Sequence, residues 1–320
     1  MLADFRASEY RFTIRAREKM HLPVYKGSMF RGGFGTAFRR IACIQRHTEC
    51  AACMIKRTCA YTYIFETMPP SDSQALRNYA NIPRPFVIEP PEDDRCEFES
   101  GETLSFKVLL FGRSREFLPY FVMSFKNLGD IGLGKGRGRY DLSEVVAVNP
   151  YTGQEKRIYS QEDEFLDRTG LDITYHDITR AVSDQHCDSI TVEYITPTRL
   201  IFEEKMASVP EFHIVFRSLL RRLSSLWYFH QGKELDIDYK GLIERAHQVI
   251  LAKNETHWRD WERYSSRQGE RVQMGGLVGR AVYEGELAGF LPFLGVGELT
   301  HVGKGAVFGM GKYRMGTDSI

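Results

Sequence analysis

Residues 295–313 read Gly-Val-Gly-Glu-Leu-Thr-His-Val-Gly-Lys-Gly-Ala-Val-Phe-Gly-Met-Gly-Lys-Tyr, a run that holds six glycines, one histidine and two lysines. The run leads into a short predicted strand, and no carboxylate lies between Leu299 and Thr317. Glycine lets the backbone approach a ligand closely, and successive amides in such a loop form a concavity that suits anionic oxygens. His301 and Lys304 would add a proton-transfer group and a positive charge. The pattern predicts either an anion-binding loop or a tight structural turn that closes a sheet.

A second glycine-rich loop lies near the middle of the chain. Residues 128–140 read Leu-Gly-Asp-Ile-Gly-Leu-Gly-Lys-Gly-Arg-Gly-Arg-Tyr, so that Lys135, Arg137 and Arg139 are interleaved with glycines. A predicted strand follows the loop where a Rossmann fold would begin a helix, and the Gly-Lys-Ser/Thr of a P-loop is absent. Neither glycine loop has an acidic metal-binding pair beside it, so we expect no nucleotide cofactor.

The two loops close two halves of the chain that share one order of elements. Each half reads strand, helix, strands, short helix, glycine loop, strand, which is the order of the ferredoxin-like unit that RNA-recognition domains also use. The sequence therefore predicts an α+β fold of two tandem ferredoxin-like (RRM-like) domains, 1–150 and 188–320, joined by a connector, 151–187. In the first half, the predicted first strand covers 9–15 and the first helix covers 27–41. In the second half, the predicted first strand covers 189–195, and three helices cover 212–230, 239–253 and 287–294.

Composition and charge describe an ordinary globular protein. With 320 residues, 42% apolar and 27% charged, the chain favours two domains. The net charge of +1 conceals a sorted distribution: residues 31–57 hold six Lys/Arg against one acid, whereas 89–102 hold seven acids against one base. This predicts one basic face and one acidic edge. The N-terminus shows no signal peptide and no apolar run reaches membrane-spanning length, so we expect a cytoplasmic protein without a membrane partner.

Four cysteines cluster in the first half as Cys43, Cys50, Cys53 and Cys59. In a cytoplasmic chain such spacing favours metal binding over disulfides, and four thiolates suit a closed tetrahedral zinc site. We therefore predict a cysteine-rich insertion with a possible structural zinc. An iron–sulfur cluster and free thiols are the alternatives. A closed site leaves no open coordination position, which argues against a zinc-dependent nuclease.

Six motifs, spread over nearly the whole chain, carry a resemblance to a known family. They are Arg31-Gly-Gly-Phe-Gly35, Gly132-Leu-Gly-Lys-Gly-Arg-Gly-Arg-Tyr140, Arg221-Arg-Leu-Ser-Ser-Leu226, Tyr264-Ser-Ser-Arg-Gln268, Gly275-Gly-Leu-Val-Gly279 and His301-Val-Gly-Lys-Gly-Ala-Val-Phe-Gly-Met-Gly-Lys-Tyr313. The chain resembles the CRISPR-associated endoribonucleases of the repeat-associated (RAMP) superfamily that process precursor CRISPR RNA. The resemblance implies a tandem ferredoxin-like fold that binds repeat RNA, cleaves it without a metal and often retains the product, with other CRISPR effector subunits as possible partners.

The implied reaction makes definite demands on side chains. The ribose 2′-hydroxyl attacks the neighbouring phosphate and leaves a cyclic phosphate and a 5′-hydroxyl, so a base, an acid and a stabilising cation are needed. Histidine suits the proton roles because its pKa lies near neutrality. The resemblance places catalytic groups in or near the first helix, where no histidine occurs. The candidates are Tyr25 and Arg31, with His21 and His47 flanking them, and His301 with Lys304; His47 or His301 is the expected acid, and Arg31 and Lys304 the expected charge stabilisers.

Basic side chains outside the catalytic set are candidates for RNA contact. They are Lys26, Lys135, Arg137, Arg139, Arg217, Arg221, Arg222 and Lys312. The alternative for the arginines of the second-half helix is a solvated basic face. His176, His186, His230 and His257 are most simply surface residues. The rival function is a non-catalytic RNA-binding subunit of a CRISPR effector complex, which the missing histidine in the first helix keeps open.

Overall fold

A computed structural model describes residues 2–69, 82–182, 188–265 and 270–316. Two compact units divide the chain. The N-terminal unit comprises Arg6–Ile173 and Ser225–Lys233, and the C-terminal unit comprises Met1–Phe5, Thr174–Ser224 and Glu234–Ile320. The predicted domain boundaries at 150 and 188 miss two segments: residues 1–5 belong to the C-terminal unit, and residues 225–233 belong to the N-terminal unit. The end of the predicted connector, 183–187, lies outside the described residues.

The N-terminal unit contains the first ferredoxin-like arrangement. Its elements are β1 (Arg6–Ala16), β2 (Met20–His21), α1 (Gly27–Ala42), α2 (Ala60–Phe65), β3 (Phe86–Glu89), β4 (Glu97–Phe98), β5 (Thr103–Phe111), α3 (Leu118–Ile131), β6 (Tyr140–Asn149), β7 (Gln154–Ser160) and β8 (Ile173–Thr174). The main sheet is antiparallel with the order β3-β5-β1-β6-β7, and β8 pairs with β1. Strand β7 is a correction, because the sequence assigned these residues to the connector.

An aromatic core joins the helices of the N-terminal unit to its sheet. The ring of Phe30 on α1 stacks on Phe106 of β5 at 4.3 Å, and Phe34 stacks on Phe125 of α3 at 5.0 Å. All four rings are buried. The predicted apolar positions of α1 therefore face the sheet, which fixes the opposite face of this helix toward the surface.

The C-terminal unit repeats the arrangement. Its elements are α4 (Tyr175–Val182), β9 (Ser189–Thr198), β10 (Ile201–Phe202), β11 (Lys205–Met206), α5 (Phe212–Gln231, whose last turns belong to the N-terminal unit), α6 (Tyr239–Ala246), β12 (Ile250–Arg259), β13 (Glu262–Ser265), β14 (Glu270–Gln273), β15 (Gly276–Glu284), α7 (Leu291–Thr300) and β16 (Tyr313–Gly316). Its sheet is antiparallel with the order β12-β15-β9-β16.

The two strand orders are the same when strands are counted within each unit. In both sheets the first strand is central, the last strand of the motif lies on one side of it, and the third and second lie on the other. This is the order of a ferredoxin-like sheet. The predicted α+β fold with two tandem ferredoxin-like domains is confirmed. Within the predicted cysteine-rich insertion, the chain forms a short 3-10 turn at Cys50–Ala52.

Two predicted helices of the C-terminal unit have different bounds in the structure. The segment 250–253 is strand, because β12 pairs with β15 from Ile250 opposite Glu284. Helix α7 begins later than expected and continues to Thr300, so Gly295 and Gly297 are helical and not part of a loop. A Cβ on Gly297 would lie 2.0 Å from the Tyr313 hydroxyl, which explains a glycine at this helix position. Among the helices that the structure describes, none is long and apolar enough to cross a membrane.

Candidate nucleic-acid interface

The glycine loop of residues 128–140 comes first in the chain and is called the first glycine loop from here on. It is fixed by its own backbone in the N-terminal unit. Its ends pair where the Leu133 amide donates to the Gly138 carbonyl at 2.9 Å, and the Lys135 amide donates to the His21 carbonyl at 2.8 Å. Gly134 has a φ of 70°, and a Cβ there would lie 2.1 Å from the His21 carbonyl oxygen. Only glycine fits at this position, so the loop is held firmly against β2.

The basic side chains of this loop point to solvent. Lys135, Arg137 and Arg139 are all exposed, and none of the three makes a side-chain hydrogen bond or ion pair with a residue that the structure describes. The loop therefore combines a rigid backbone with three available positive charges. Such a surface suits phosphate oxygens, because the cations need not be withdrawn from protein partners before they bind.

His21 lies beside this loop and adds an imidazole to it. Its side chain is 47% exposed, and its Nδ1 lies 3.3 Å from a carboxylate oxygen of Glu97. The Lys19 ammonium contacts Glu97 at 3.2 Å and Glu99 at 2.7 Å. The sequence marked His21 only as a neighbour of the first helix. Its position beside Lys135 depends on a β-bridge that no local pattern reveals.

Helix α1 presents one glycine that the fold does not use. A Cβ on Gly33 would lie 2.9 Å from the Leu128 side chain, and one on Gly35 would lie 3.4 Å from the Phe65 ring. These two glycines permit close packing. Gly32 is exposed, and a Cβ there would have no atom within 4 Å. The adjacent Arg31 guanidinium lies 5.2 Å from the centroid of the Phe65 ring, in cation–π geometry.

Two candidates before α1 are buried rather than available. The Lys26 side chain is fully buried; its ammonium donates to the carbonyls of Val24 at 3.2 Å and Asp93 at 3.1 Å, and lies 3.6 Å from the Asp93 carboxylate. Lys26 is therefore engaged inside its own unit, and this corrects its assignment to RNA contact. Burial, reinforced by Glu89, raises the pKa of Tyr25 far above its usual value. A tyrosine with a raised pKa is a poor general base at neutral pH.

The metal site of the cysteine segment stays a prediction, because the described structure does not gather these side chains into a metal-binding group. Cys53 is buried, and Cys43, Cys50 and Cys59 are half-buried free thiols. Burial raises the pKa of the Cys50 thiol. Within the described ranges, no group of three or more His, Cys, Asp or Glu side chains is placed to hold a metal ion. His47 lies in this segment and is exposed.

The C-terminal glycine segment is a closed turn in the structure. Residue His301 follows α7 with a φ of 62°, is fully buried, and its Nδ1 lies 2.9 Å from the Met310 carbonyl oxygen. The Val302 amide donates to the Gly311 carbonyl at 3.0 Å, and the Lys304 amide donates to the Arg199 carbonyl at 2.9 Å. These amides are not free to form the predicted concavity. The Lys304 side chain remains exposed.

The arginines of α5 divide into two kinds. Arg217 and Arg221 are exposed, as a nucleic-acid contact requires. Arg222 instead donates from Nε to the Thr300 carbonyl at 2.7 Å, and burial lowers its pKa to about 10. Arg222 therefore ties α5 to the end of α7 and is better described as structural. Lys312 is half-exposed, and its amide donates to the Thr196 hydroxyl at 2.9 Å.

His230 is a correction to the predicted surface histidines. It is buried in the N-terminal unit, where its Nε2 lies 2.7 Å from the Pro83 carbonyl oxygen and its Nδ1 lies 3.3 Å from the Tyr63 hydroxyl. His176 and His257 are exposed, and His186 lies outside the described residues.

Two protein-family models match different parts of the chain. Residues 5–170 match the AF_1859_N model, described as an N-terminal domain, and residues 192–313 match the model of the CRISPR-associated endoribonuclease Cas6. The C-terminal part of the chain, residues 192–313, is thus similar to the Cas6 family, and the N-terminal part is similar to a separate domain family. The predicted resemblance to the CRISPR-associated endoribonucleases is thus confirmed, and the match of residues 192–313 supports the prediction of an endoribonuclease.

One relative and several solved structures are similar to the chain over most of its length. An uncharacterized protein of Archaeoglobus fulgidus is 27% identical over 305 residues, with 92% of this chain and 93% of that protein covered. A structure titled partial Cas6-RT-Cas1--Cas2 complex matches with a TM-score of 0.59 and 13% identity, over 99% of this chain and 47% of that chain. This chain therefore spans about half the length of that protein. A Thermus thermophilus Cas6 product complex matches with a TM-score of 0.56 and 14% identity, over 97% and 99% of the two chains.

The two family models together cover every candidate residue, but they do not assign roles to individual residues. The Cas6 model spans Arg217, Arg221, His301, Lys304 and Lys312, whereas the N-terminal model spans the first glycine loop and the segment from Tyr25 to Cys59. At these identities the solved structures show only the fold of this chain. The roles of its individual residues rest on the geometry given above.

Proposed function

We propose that this protein acts as a Cas6 endoribonuclease, which binds CRISPR repeat RNA and cleaves precursor CRISPR RNA by attack of a ribose 2′-hydroxyl on the adjacent phosphate. The products are a cyclic phosphate and a 5′-hydroxyl, and no metal takes part. The observation that carries the proposal is the first glycine loop, whose Lys135, Arg137 and Arg139 side chains are exposed and have no protein partner in the described part of the chain.

The loop suits a structured RNA better than a small anion. Its backbone is already satisfied by His21 and by its own pairing, so the ligand-facing groups are the long cationic side chains and not the amides. Side chains of this kind contact phosphates along an RNA backbone, and an A-form stem is recognised mainly through its backbone and shape. Arg217 and Arg221 offer a second exposed basic set on α5.

Of the two histidines predicted as the acid, exposure favours His47 over His301. A group that protonates the leaving 5′-oxygen must reach the RNA, and His47 is exposed while His301 is fully buried with its ring held at the Met310 carbonyl. We assign the acid to His47, with His21 as its competitor beside the glycine loop. Arg31, in the same unit as His47, is assigned to stabilise charge on the phosphate.

A second function is favoured by one observation. Helix α1 contains no histidine, and His301 is buried, so the protein could hold RNA without cutting it. In that case the chain is an RNA-binding subunit of a larger CRISPR assembly. The solved complex whose title joins Cas6 to RT, Cas1 and Cas2 makes other CRISPR proteins reasonable partners for either function. Retention of the cleaved product is part of the first proposal.

The deciding experiment uses a labelled repeat RNA in EDTA beside the same RNA with a 2′-deoxy group at the cleavage site. A single cut in the first RNA and none in the second supports attack by the 2′-hydroxyl without a metal. Separate His47→Ala and His21→Ala variants then identify the acid, with His176→Ala, on an exposed face of α4, as the matched control. Tight binding without a cut supports the RNA-holding function, and absence of both contradicts the proposal.

A further inference from the structure

A pair of stacked histidines lies in the C-terminal unit, outside the residues assigned above. The rings of His213, in the first turn of α5, and His247, just after α6, have centroids 4.0 Å apart and planes inclined by 21°. Phe202 of the β10–β11 hairpin meets the His213 ring edge-on, with centroids 5.3 Å apart. The three rings come from separate elements, so only the folded chain assembles them.

The stack is open at one end and closed at the other. His213 and Phe202 are half-buried, whereas His247 is exposed. The Nδ1 of His213 is buried and has no hydrogen-bond partner among the described residues. A ring that serves only to fill a core gains nothing from an unpaired nitrogen, and its burial has a free-energy cost. The exposed face of His247 is the natural place for one more planar group.

An exposed arginine beside the stack provides a positive charge for a phosphate, although two exposed glutamates lie in the adjacent hairpin turn. The guanidinium of Arg217 lies 5.9 Å from the centroid of the Phe202 ring and is exposed, one helical turn after His213. Burial, His247 and Arg217 each lower the pKa of His213, so the inner ring is neutral near pH 7 and stacks without charge repulsion. Glu203 and Glu204 form the hairpin turn, in left-handed conformation, and are exposed with Lys205.

We propose that the His213–His247 stack, with Phe202 behind it and Arg217 beside it, binds one unpaired nucleobase of the RNA, which stacks on the outer face of His247 while Arg217 contacts a neighbouring phosphate. Single-stranded RNA is recognised in this manner, by bases laid on aromatic or histidine rings and by cations along the backbone. The proposal rests on the proposed function and adds to it a site for an unpaired nucleotide.

A metal is a poorer occupant than a base. Two rings stacked face to face direct their nitrogens along parallel planes and not toward a common point. No third ligand completes a metal site in the described part of the molecule. The same face of His247 suits a base of any identity, because every base has a π-face.

The test is a scan with repeat RNAs in which 2-aminopurine replaces one unpaired position at a time. Stacking quenches the fluorescence of this base, so the wild-type protein is expected to quench at one position. His247→Ala should abolish that quenching and weaken RNA binding by about tenfold, the scale of one stacked base, whereas His247→Phe should retain both. His176→Ala, on an exposed turn of α4 in the same unit, should behave as wild type.

The outcomes separate this site from the proposed function. A wild-type protein that binds and cuts repeat RNA, with His247→Ala equal to it in affinity and quenching, overturns the site alone. A wild-type protein that neither binds nor cuts overturns the proposed function and this site with it. Because His247 is exposed at a helix end, its alanine variant should keep the circular dichroism spectrum of the wild type. If the spectrum of His247→Ala differs from that of the wild type, Arg217→Ala is the second test variant. It should lose quenching at the same position of the RNA.

Discussion

At the scale of single residues, exposure separates the candidate side chains more sharply than residue type does. Lysines and arginines that look alike in the sequence have opposite environments: Lys135 is exposed, whereas Lys26 is fully buried with its ammonium bonded to two carbonyls. Arg217 and Arg222 differ in the same way. A buried cation with protein partners is costly to withdraw, so only the exposed members of each pair are credible RNA contacts.

Gly32 supplies the first prediction. Because a Cβ at Gly32 meets no atom within 4 Å, Gly32→Ala should stabilise α1 by about 0.5–1 kcal/mol, the helix-propensity difference between the two residues. If RNA approaches this face of α1, the same change should weaken binding of repeat RNA severalfold. Urea unfolding and RNA titration measure the two effects. A stabilised variant with unchanged affinity would show that RNA does not approach Gly32.

A second helix glycine provides the control. Gly129 lies in α3, and a Cβ there would lie 2.3 Å from the Tyr140 carbonyl oxygen. Gly129→Ala should therefore lower the free energy of unfolding by more than about 1 kcal/mol, the opposite sign to Gly32→Ala. Equal effects of the two substitutions would contradict the packing described for these helices.

Glu298 supplies a prediction on pH. Burial raises its pKa from 4.5 to about 7, although its Oε1 accepts a hydrogen bond from the Met315 amide at 2.6 Å and Arg314 lies near. Since the folded pKa exceeds the unfolded one, the carboxyl contributes stability that is fully present below pH 4.5 and is lost as the pH rises through about 7.

The measurement compares Glu298→Gln with the wild type between pH 5 and pH 8. The amide keeps an oxygen acceptor for Met315 and cannot ionise, so the variant should gain on the wild type as the pH rises, by on the order of 1–3 kcal/mol at pH 8. Parallel stability profiles for the two proteins would show that Glu298 does not titrate in this range.

At the scale of elements, the proposed role of the first glycine loop predicts a salt dependence of RNA binding that the loop residues control. Each phosphate contact that is lost should reduce the slope of log K against log salt by about 0.7–0.9. Lys135→Ala and Arg137→Ala should each lower both the affinity at low salt and this slope. Lys240→Ala on α6, an exposed lysine that pairs with Glu244, is the control. An unchanged slope in both loop variants would remove the loop from the interface.

How far the sequence predicts the elements depends on whether the signal is local. The periodic apolar residues of α1 and α5 predict both helices within a residue or two, because one helix face is buried along its length. The start of β12 was missed, since Ile250 is fixed by pairing with Glu284, which is distant in the sequence. The same limit hid the His213–His247 stack and the burial of His301, because tertiary packing brings these groups together.

The two glycine loops look alike in the sequence but differ in the groups that they expose. Both loops contain interleaved glycine and lysine, yet the first exposes three cations while the amides of the second are bonded internally. Positive φ values at Gly303, Gly305, Gly309 and Gly311 account for its glycines as a tight turn. The sequence alone left both interpretations open for the second loop.

At the scale of the whole molecule, each compact unit needs a segment from elsewhere in the chain. The N-terminal unit includes Ser225–Lys233, where His230 bonds to Pro83. His230→Ala should therefore destabilise this unit by about 1–3 kcal/mol, because it leaves a buried carbonyl without its partner. Urea unfolding followed by circular dichroism measures this, with His257→Ala on the exposed strand β12 as the control. No difference between the two variants would mean that the segment adds little to the unit.

The central position of β9 also bears on how the protein folds during synthesis. Its Tyr194 pairs with Tyr313 on β16 and faces Gly279 on β15, so the sheet of the C-terminal unit cannot close until residues 313–316 have left the ribosome. All strands of the N-terminal sheet are synthesised much earlier, but the N-terminal unit is complete only when residues 225–233 have also been synthesised. Before β15 emerges β9 has two unpaired edges, and until β16 emerges it keeps one, the kind of intermediate that chaperones recognise.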